Sequence, residues 1–344
     1  MNKILSLLVI VLILALPLSF IDYDMAKDAV FNISDAIGYQ SPKKIILDES
    51  GVPYIEYKYQ NGKYVGEKRR NPVTISQTGM KYLEKYYETK DEKYKELFLN
   101  CSDWLVENAK NKGNYSVWEY SSIIYYPNFT LYPPWVSGMA QGQGIQVLAY
   151  AYNLTGNEIY LNTAKSALGA FYVPVEEGGV LYIEDDGGWW YLEYGYKGEP
   201  KPKTLNGFIF ALIGIHEYYR ITKDDDALYL FNRGVDELKR HLDDYDTGSY
   251  TVYDLVGTPA GKYHEVHVKQ MLTMYNLTGD PIFLEYYEKW KAYSNDLWNI
   301  IDKRILNRLN IAIYVFNTII LFCISIFIML IQGHRRGKGN RRLK

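Results

Sequence analysis

Ala149-Tyr-Ala-Tyr-Asn-Leu-Thr-Gly-Asn-Glu-Ile-Tyr-Leu161 carries an apolar helical face that stops at Thr155-Gly156-Asn157 and resumes within a few residues. That is the pattern of two helices folded back on each other through a tight turn. It recurs upstream in Tyr82 to Leu99, through Thr89-Lys-Asp91. It recurs downstream in Ile215 to Leu230, through Thr222-Lys-Asp224, and in Met274 to Tyr287, through Thr278-Gly-Asp280. The turn threonines are 66, 67 and 56 residues apart, a spacing that fits helix pairs joined by long loops. Such a repeat, running from residue 77 to about 298, builds either an open superhelix or a ring of inner and outer helices. In both cases the long loops gather at one end, where sites usually lie.

Outward from this repeat, residues 22–75 read as a short β-containing region. Val52 to Tyr59 alternates with period two and meets the turn pair Asn61-Gly62, which predicts a small hairpin. Pro174 to Tyr196, with Asp185-Asp186-Gly187-Gly188 at its centre, predicts another. Its acidic turn lacks the evenly spaced oxygen ligands of a calcium loop.

At the ends of the chain, residues 1–21 read as a signal peptide or a retained anchor. Residues 309–331 form a run of 23 mostly apolar residues, broken by Asn310, Asn317 and Ser325, and basic residues 332–344 follow. The expectation is a transmembrane helix with a cytoplasmic tail and an extracytoplasmic body. Cys101 and Cys323 give no disulfide framework outside the predicted span. The net charge of -2 excludes the basic footprint of a nucleic-acid binder. Hydrophobic content of 48% with 23% charge excludes disorder and coiled coil. Tyrosine is over-used, with 35 against 12 Phe and 7 Trp, which suits sugar-binding walls as well as ordinary packing.

The chemistry-bearing residues fall in the loops. Tyr250 to His267 mixes phenols, imidazoles and carboxylates with turn glycines. His264 and His267 do not make a zinc-binding His-Glu-x-x-His pattern, and no metal or phosphate-binding cofactor motif is present. Gln141, on a helix of small residues, needs a partner or a ligand if buried. Glu193 and Asp254 are the best pair for glycoside hydrolysis. Alternatively, tyrosines on separate loops could exchange a proton alpha to a sugar carboxylate, with Tyr194, Tyr253 and Tyr263 available beside Glu193 and His267.

Tyr132-Pro-Pro-Trp-Val-Ser-Gly-Met-Ala-Gln-Gly-Gln143, Leu205-Asn-Gly-Phe208, Tyr245-Asp-Thr-Gly-Ser249, Tyr253-Asp-Leu255 and Tyr263-His264 with His267 together resemble the C-terminal catalytic domain of the D-glucuronyl C5-epimerase family. The resemblance spans about residues 130–292, and more loosely begins near 75. It implies a mainly α fold: an incomplete (α/α) toroid of helical hairpins over residues 76–300, with a small β-hairpin element. It also implies inversion of C5 of glucuronate to iduronate within a polymer, without a nicotinamide or other cofactor, and a tendency to form a homodimer. By position, Tyr194 and Tyr263 become candidate acid/base residues on opposite sugar faces, Glu193 a candidate proton acceptor and Tyr253 an orienting residue. Trp135, Gln141, Asn206, His264, His267 and Lys262 become candidate substrate-binding residues. The family places an arginine just after Tyr-Asp-Leu, where this chain has Val256; Lys262, Lys203 or Lys201 could supply the missing cation. A uronate-containing polysaccharide is the expected partner. A polysaccharide lyase, a hydrolase and a membrane-anchored glycan-binding protein are the competing readings.

Overall fold

The computed structural model describes residues 11, 15, 43–60, 63–126, 129–294, 311 and 313–327. The chain divides into Ser41–Ser294 and a second unit made of Met1–Gln40 with Asn295–Lys344. The larger unit begins with strands β1 (Lys43–Leu47), β2 (Pro53–Gln60) and β3 (Lys63–Arg69), an antiparallel meander in the order β1-β2-β3. The expected hairpin is β2–β3, with Gln60 opposite Lys63; its turn pair lies outside the described residues. Asp48 builds the other turn by accepting from the backbone N–H groups of Ser50 (3.0 Å) and Val52 (2.9 Å), and it pairs with Arg70.

Eight helices follow among the described residues: α1 (Pro72–Thr89), α2 (Glu92–Glu107), α3 (Gly138–Thr155), α4 (Glu158–Leu168), α5 (Leu205–Thr222), α6 (Asp225–His241), α7 (Tyr263–Thr278) and α8 (Pro281–Ser294). They form four hairpins, each closed by one local device. Thr89, Thr155, Thr222 and Thr278 each donate a hydroxyl to the carbonyl four residues back, at 2.7–2.9 Å. Each accepts from the N–H two residues on, at 3.1–3.3 Å. The residue between adopts a left-handed conformation, and the Asp or Asn that follows caps the next helix.

The first helices of the hairpins pack in the series α1–α3–α5–α7, and the second helices lie outside them. Gly142 of α3 meets Ala211 and Gly214 of α5 so closely that a Cβ on Gly214 would lie 2.0 Å from the Gly142 carbonyl oxygen. Leu192 accepts from the N–H of Gly138 at the start of α3, and the adjacent Glu193 packs on Gly207 at the start of α5, so both helices begin at the same end and run parallel. This organisation is the mainly α, toroid-like row of hairpins that the repeat predicts. One end carries the four tight turns. The N-termini of α1, α3, α5 and α7 occupy the other end, together with the long segments 108–137, 169–204 and 242–262.

Those segments contain short hairpins: Lys110–Asn111 (β4) with Ser116–Val117 (β5), Ile124–Tyr125 (β6) with Thr130–Leu131 (β7), and Leu181–Ile183 (β8) with Trp189–Tyr191 (β9). β8–β9 is the hairpin expected within Pro174 to Tyr196. Trp190 of β9 stacks on Phe208 of α5 with ring centroids 3.9 Å apart, which fixes the hairpin on the helical core.

One expectation is corrected. Among the described residues, no helix is long and apolar enough to cross a membrane. The transmembrane helix assigned to 309–331 is therefore not supported. The signal or anchor assigned to 1–21 lies outside the described residues, apart from positions 11 and 15.

Candidate active site

Backbone bonds bring three segments to the N-terminal ends of α3, α5 and α7. The N–H of Val136 donates to the Gly195 carbonyl (3.0 Å), Gly195 returns the bond (2.8 Å), and the N–H of Gly138 donates to Leu192 (2.8 Å). Residues 192–195 are thus pinned to the start of α3. The N–H of Leu205 donates to the Tyr253 carbonyl (3.1 Å), and that of Leu255 to Pro202 (2.9 Å), which pins residues 253–255 to the start of α5. Tyr263 is the first residue of α7.

The result is a nest of phenols around one carboxyl group. The hydroxyls of Tyr194 and Tyr253 are 2.7 Å apart in a hydrogen bond. The rings of Tyr253 and Tyr263 lie 4.7 Å apart, and that of Tyr126 lies 5.0 Å from Tyr194. Glu193 packs against the first turn of α5, where a Cβ on Gly207 would lie 2.1 Å from its Oε2. That Oε2 is buried without a hydrogen-bond partner. Burial pushes the Glu193 carboxyl up to about 7, while the hydroxyls of Tyr194 and Tyr253 pull it down. Burial also raises Tyr194, Tyr253 and Tyr263 above the ordinary phenol value, with the charge of Glu193 acting in the same direction. Near neutral pH the phenols therefore begin as acids, and Glu193 is the group poised to gain or lose a proton.

The remaining candidates separate into those that meet this nest and those that serve the fold. Trp135 is buried, stacked on Tyr120 at 3.9 Å and edge-on to Tyr194 at 6.2 Å, so it backs the nest and offers no open platform. Gln141 is spent on backbone: it accepts from the N–H of Trp118 (3.0 Å) and donates to the carbonyls of Ser116 (3.0 Å) and Ala167 (3.1 Å). His264 bonds the Thr251 hydroxyl (3.0 Å) and the Trp290 carbonyl (3.1 Å), tying the 250s loop to α8. Asn206 sits buried in the first turn of α5 with its Oδ1 unpartnered. His267, buried on α7, keeps Nε2 unpartnered.

Asp254 accepts from the N–H groups of Val256 (3.1 Å) and Thr258 (2.9 Å), so it holds its own loop. Lys201 pairs with Glu176, and Lys203 with Glu184. Lys262 is exposed, 5.5 Å over the Tyr263 ring, and among the described residues makes no ion pair with a carboxylate. Val256 packs against the aromatic cluster. Among the described residues, Glu184, Glu237 and His241 have metal-ligand geometry, but Lys203 and Arg240 already neutralise the two glutamates. Sequence reasoning missed Tyr126, Phe129 and Thr251. Nothing local distinguishes Tyr126 from the other tyrosines of this chain.

With this geometry in hand, comparison with known proteins is direct. The D-glucuronyl C5-epimerase C-terminus family matches residues 110–292, more than half of the chain. An uncharacterized protein of Methanocaldococcus jannaschii is 33% identical over 285 residues, covering 77% of this chain and 91% of that one. The D-glucuronyl C5-epimerase of Caenorhabditis elegans is 34% identical over 223 residues, covering 59% of this chain but only 36% of that protein. A sugar epimerase from a ruminal bacterium shares the fold, with a TM-score of 0.50 at 14% identity, over 76% of this chain and 67% of its own. The chain belongs to the D-glucuronyl C5-epimerase family of carbohydrate epimerases, in the part that forms the C-terminus of such enzymes.

Proposed function

We propose that this chain inverts C5 of uronate residues within a polysaccharide, converting D-glucuronate to L-iduronate. The observation that carries the reading is the carboxyl of Glu193, raised to about 7 inside a nest of protonated tyrosines. A C5 hydrogen is acidic only through the adjacent carboxylate, so its removal needs a base close to working pH and donors that stabilise the enediolate. Ionised Glu193 accepts the C5 proton. Hydroxyls of the nest donate hydrogen bonds to the developing charge, and Lys262 supplies a cation where the family has an arginine. Tyr263, on a different element, returns a proton to the opposite face. Tyr194 and Tyr253, joined at 2.7 Å, hold Glu193 and redistribute its proton.

Asp254, whose carboxylate is engaged by the N–H groups of Val256 and Thr258, weakens the hydrolase reading. Incubation of the full chain with glucuronate polymers in D₂O, followed by NMR, is the direct test. Deuterium at C5, new iduronate signals and unchanged chain length are expected. Ultraviolet-absorbing unsaturated ends would mean a lyase, and new saturated reducing ends a hydrolase. No exchange on glucuronate, mannuronate or galacturonate polymers overturns the proposal.

A further inference from the structure

Beneath Tyr263 and Glu193, the seam between α5 and α7 has an unusual hydrogen-bond balance. Gln270 of α7 donates its Nε2–H to the Asn206 carbonyl of α5 (2.9 Å), leaving its own Oε1 buried without a partner. The side-chain Oδ1 of Asn206 and Nε2 of His267 are also buried and unpartnered. Tyr263, His267 and Gln270 are four and three residues apart on α7, so they share one helical face. Asn206 adjoins Gly207, against which Glu193 packs.

The protonation of His267 follows from its bonds. The Trp290 carbonyl can only accept, so Nε2 of His264 carries a hydrogen (3.1 Å). With that hydrogen on Nε2 of the neutral ring, Nδ1 of His264 is the acceptor for the Thr251 hydroxyl (3.0 Å). The Thr251 oxygen then accepts from Nδ1–H of His267 (2.9 Å), and the lone pair of His267 rests on Nε2. Burial depresses His267 to about 3, so it stays neutral.

We infer that this seam is an acceptor-only wall, made by Nε2 of His267, Oδ1 of Asn206 and Oε1 of Gln270, which takes hydroxyl hydrogens of the pyranose ring. Buried acceptors left without donors are costly, and sugar hydroxyls are donors. A carboxylate has only lone pairs and is repelled there. The wall therefore turns the uronate so that its hydroxyls face the seam and its carboxylate faces Lys262. Thr251 is the positioning residue: its hydroxyl, fixed through His264, keeps His267 an acceptor. This inference rests on the uronate reading, and it deepens that reading by setting the orientation of the sugar.

Long-range ¹H–¹⁵N spectra of the full chain labelled at histidine test it. His267 should show hydrogen on Nδ1 and a bare Nε2, and methyl β-D-glucuronide should shift the Nε2 signal upfield. Thr251→Val should release the tautomer and weaken glucuronide binding roughly ten-fold, the effect of losing about one hydrogen bond. Thr251→Ser should keep the tautomer. Hydrogen on Nε2 in the unsubstituted chain, or glucuronide binding with Nε2 unmoved, overturns the wall. Failure of the glucuronide to perturb any residue, with the tautomer as expected, instead counts against the uronate reading.

Discussion

At the scale of a residue, Glu193 and His267 are opposite answers to burial. Glu193 rises from an ordinary 4.5 to about 7, and His267 falls from 6.5 to about 3. An acid raised by folding binds its proton better in the folded chain. Its contribution to stability is whole below about 4.5 and lost as pH climbs through 7. A base lowered by folding behaves in the other sense: the unfolded chain takes its proton first, so stability is lost as pH falls from 6.5 toward 3. Between about 4.5 and 6.5, the pair holds one proton in each state and the two slopes cancel. Glu193→Gln removes one slope and leaves the other. The variant should lose C5 exchange, gain up to about 3 kcal/mol at pH 8, and become steadily more stable from pH 4.5 to 6.5. Urea denaturation from pH 4.5 to 8, beside the unsubstituted chain, checks the two stability effects, and C5 exchange in D₂O checks the first. A variant no more stable at pH 8 would mean that Glu193 is not held at a raised value. Exchange by the unsubstituted enzyme should correspondingly rise with pH through about 7, as Glu193 ionises.

At the scale of an element, the four hairpin turns share a mechanism but not a sequence. Gly156 and Gly279 occupy the left-handed position at φ 70, whereas Lys90 and Lys223 occupy it at φ 57 and 58. A side chain there costs ~1–2 kcal/mol. Lys90 recovers part of this over the Tyr87 ring at 5.2 Å, a contact worth ~0.5 kcal/mol when exposed. Lys90→Gly should therefore stabilise the chain by roughly 0.5–1 kcal/mol, read as a higher urea midpoint with unchanged slope. These turns were legible in the sequence because each of their bonds closes within four residues. The β8–β9 hairpin was legible because its paired residues, Ile183 with Trp189 out to Leu181 with Tyr191, still lie close in sequence. Gln141 was not, since its partners lie 23 to 26 residues away and residue type alone does not name them. Tyr126 reaches the site only through the fold. The apolar run 309–331 suggested a span by its composition, but among the described residues no helix is long and apolar enough to cross a membrane. Family resemblance carried the site further than periodicity could, by singling out Glu193, Tyr194, Tyr253 and Tyr263 from separate segments. The burial that raises the Glu193 carboxyl is a property of the assembled loops, which no single segment displays.

At the scale of the whole molecule, parallel first helices decide where chemistry can occur, and α5 joins the two functions. Its Gly214 lies on the fold-making seam with α3, while Gly207, seven residues earlier, lies against Glu193. Adding the same methyl group at each should give different failures. At Gly214 the new Cβ would meet backbone, the Gly142 carbonyl oxygen at 2.0 Å and its carbon at 2.3 Å, so the helices themselves must part. Gly214→Ala should cost about 3 kcal/mol or more, the upper end of overpacking. At Gly207 the Cβ would meet Glu193, its Oε2 at 2.1 Å, Cβ at 2.5 Å and Cδ at 2.6 Å, so the carboxyl must turn and the loop that carries it must give, while the helices stay together. Gly207→Ala should cost about 1–2 kcal/mol in stability. It should cost about a hundred-fold in C5 exchange, the scale expected for a catalytic group misplaced by ~1 Å. Denaturation midpoints paired with exchange rates separate the two. Equal losses of stability, or an active Gly207→Ala enzyme, would show that the position of Glu193 is not set by α5.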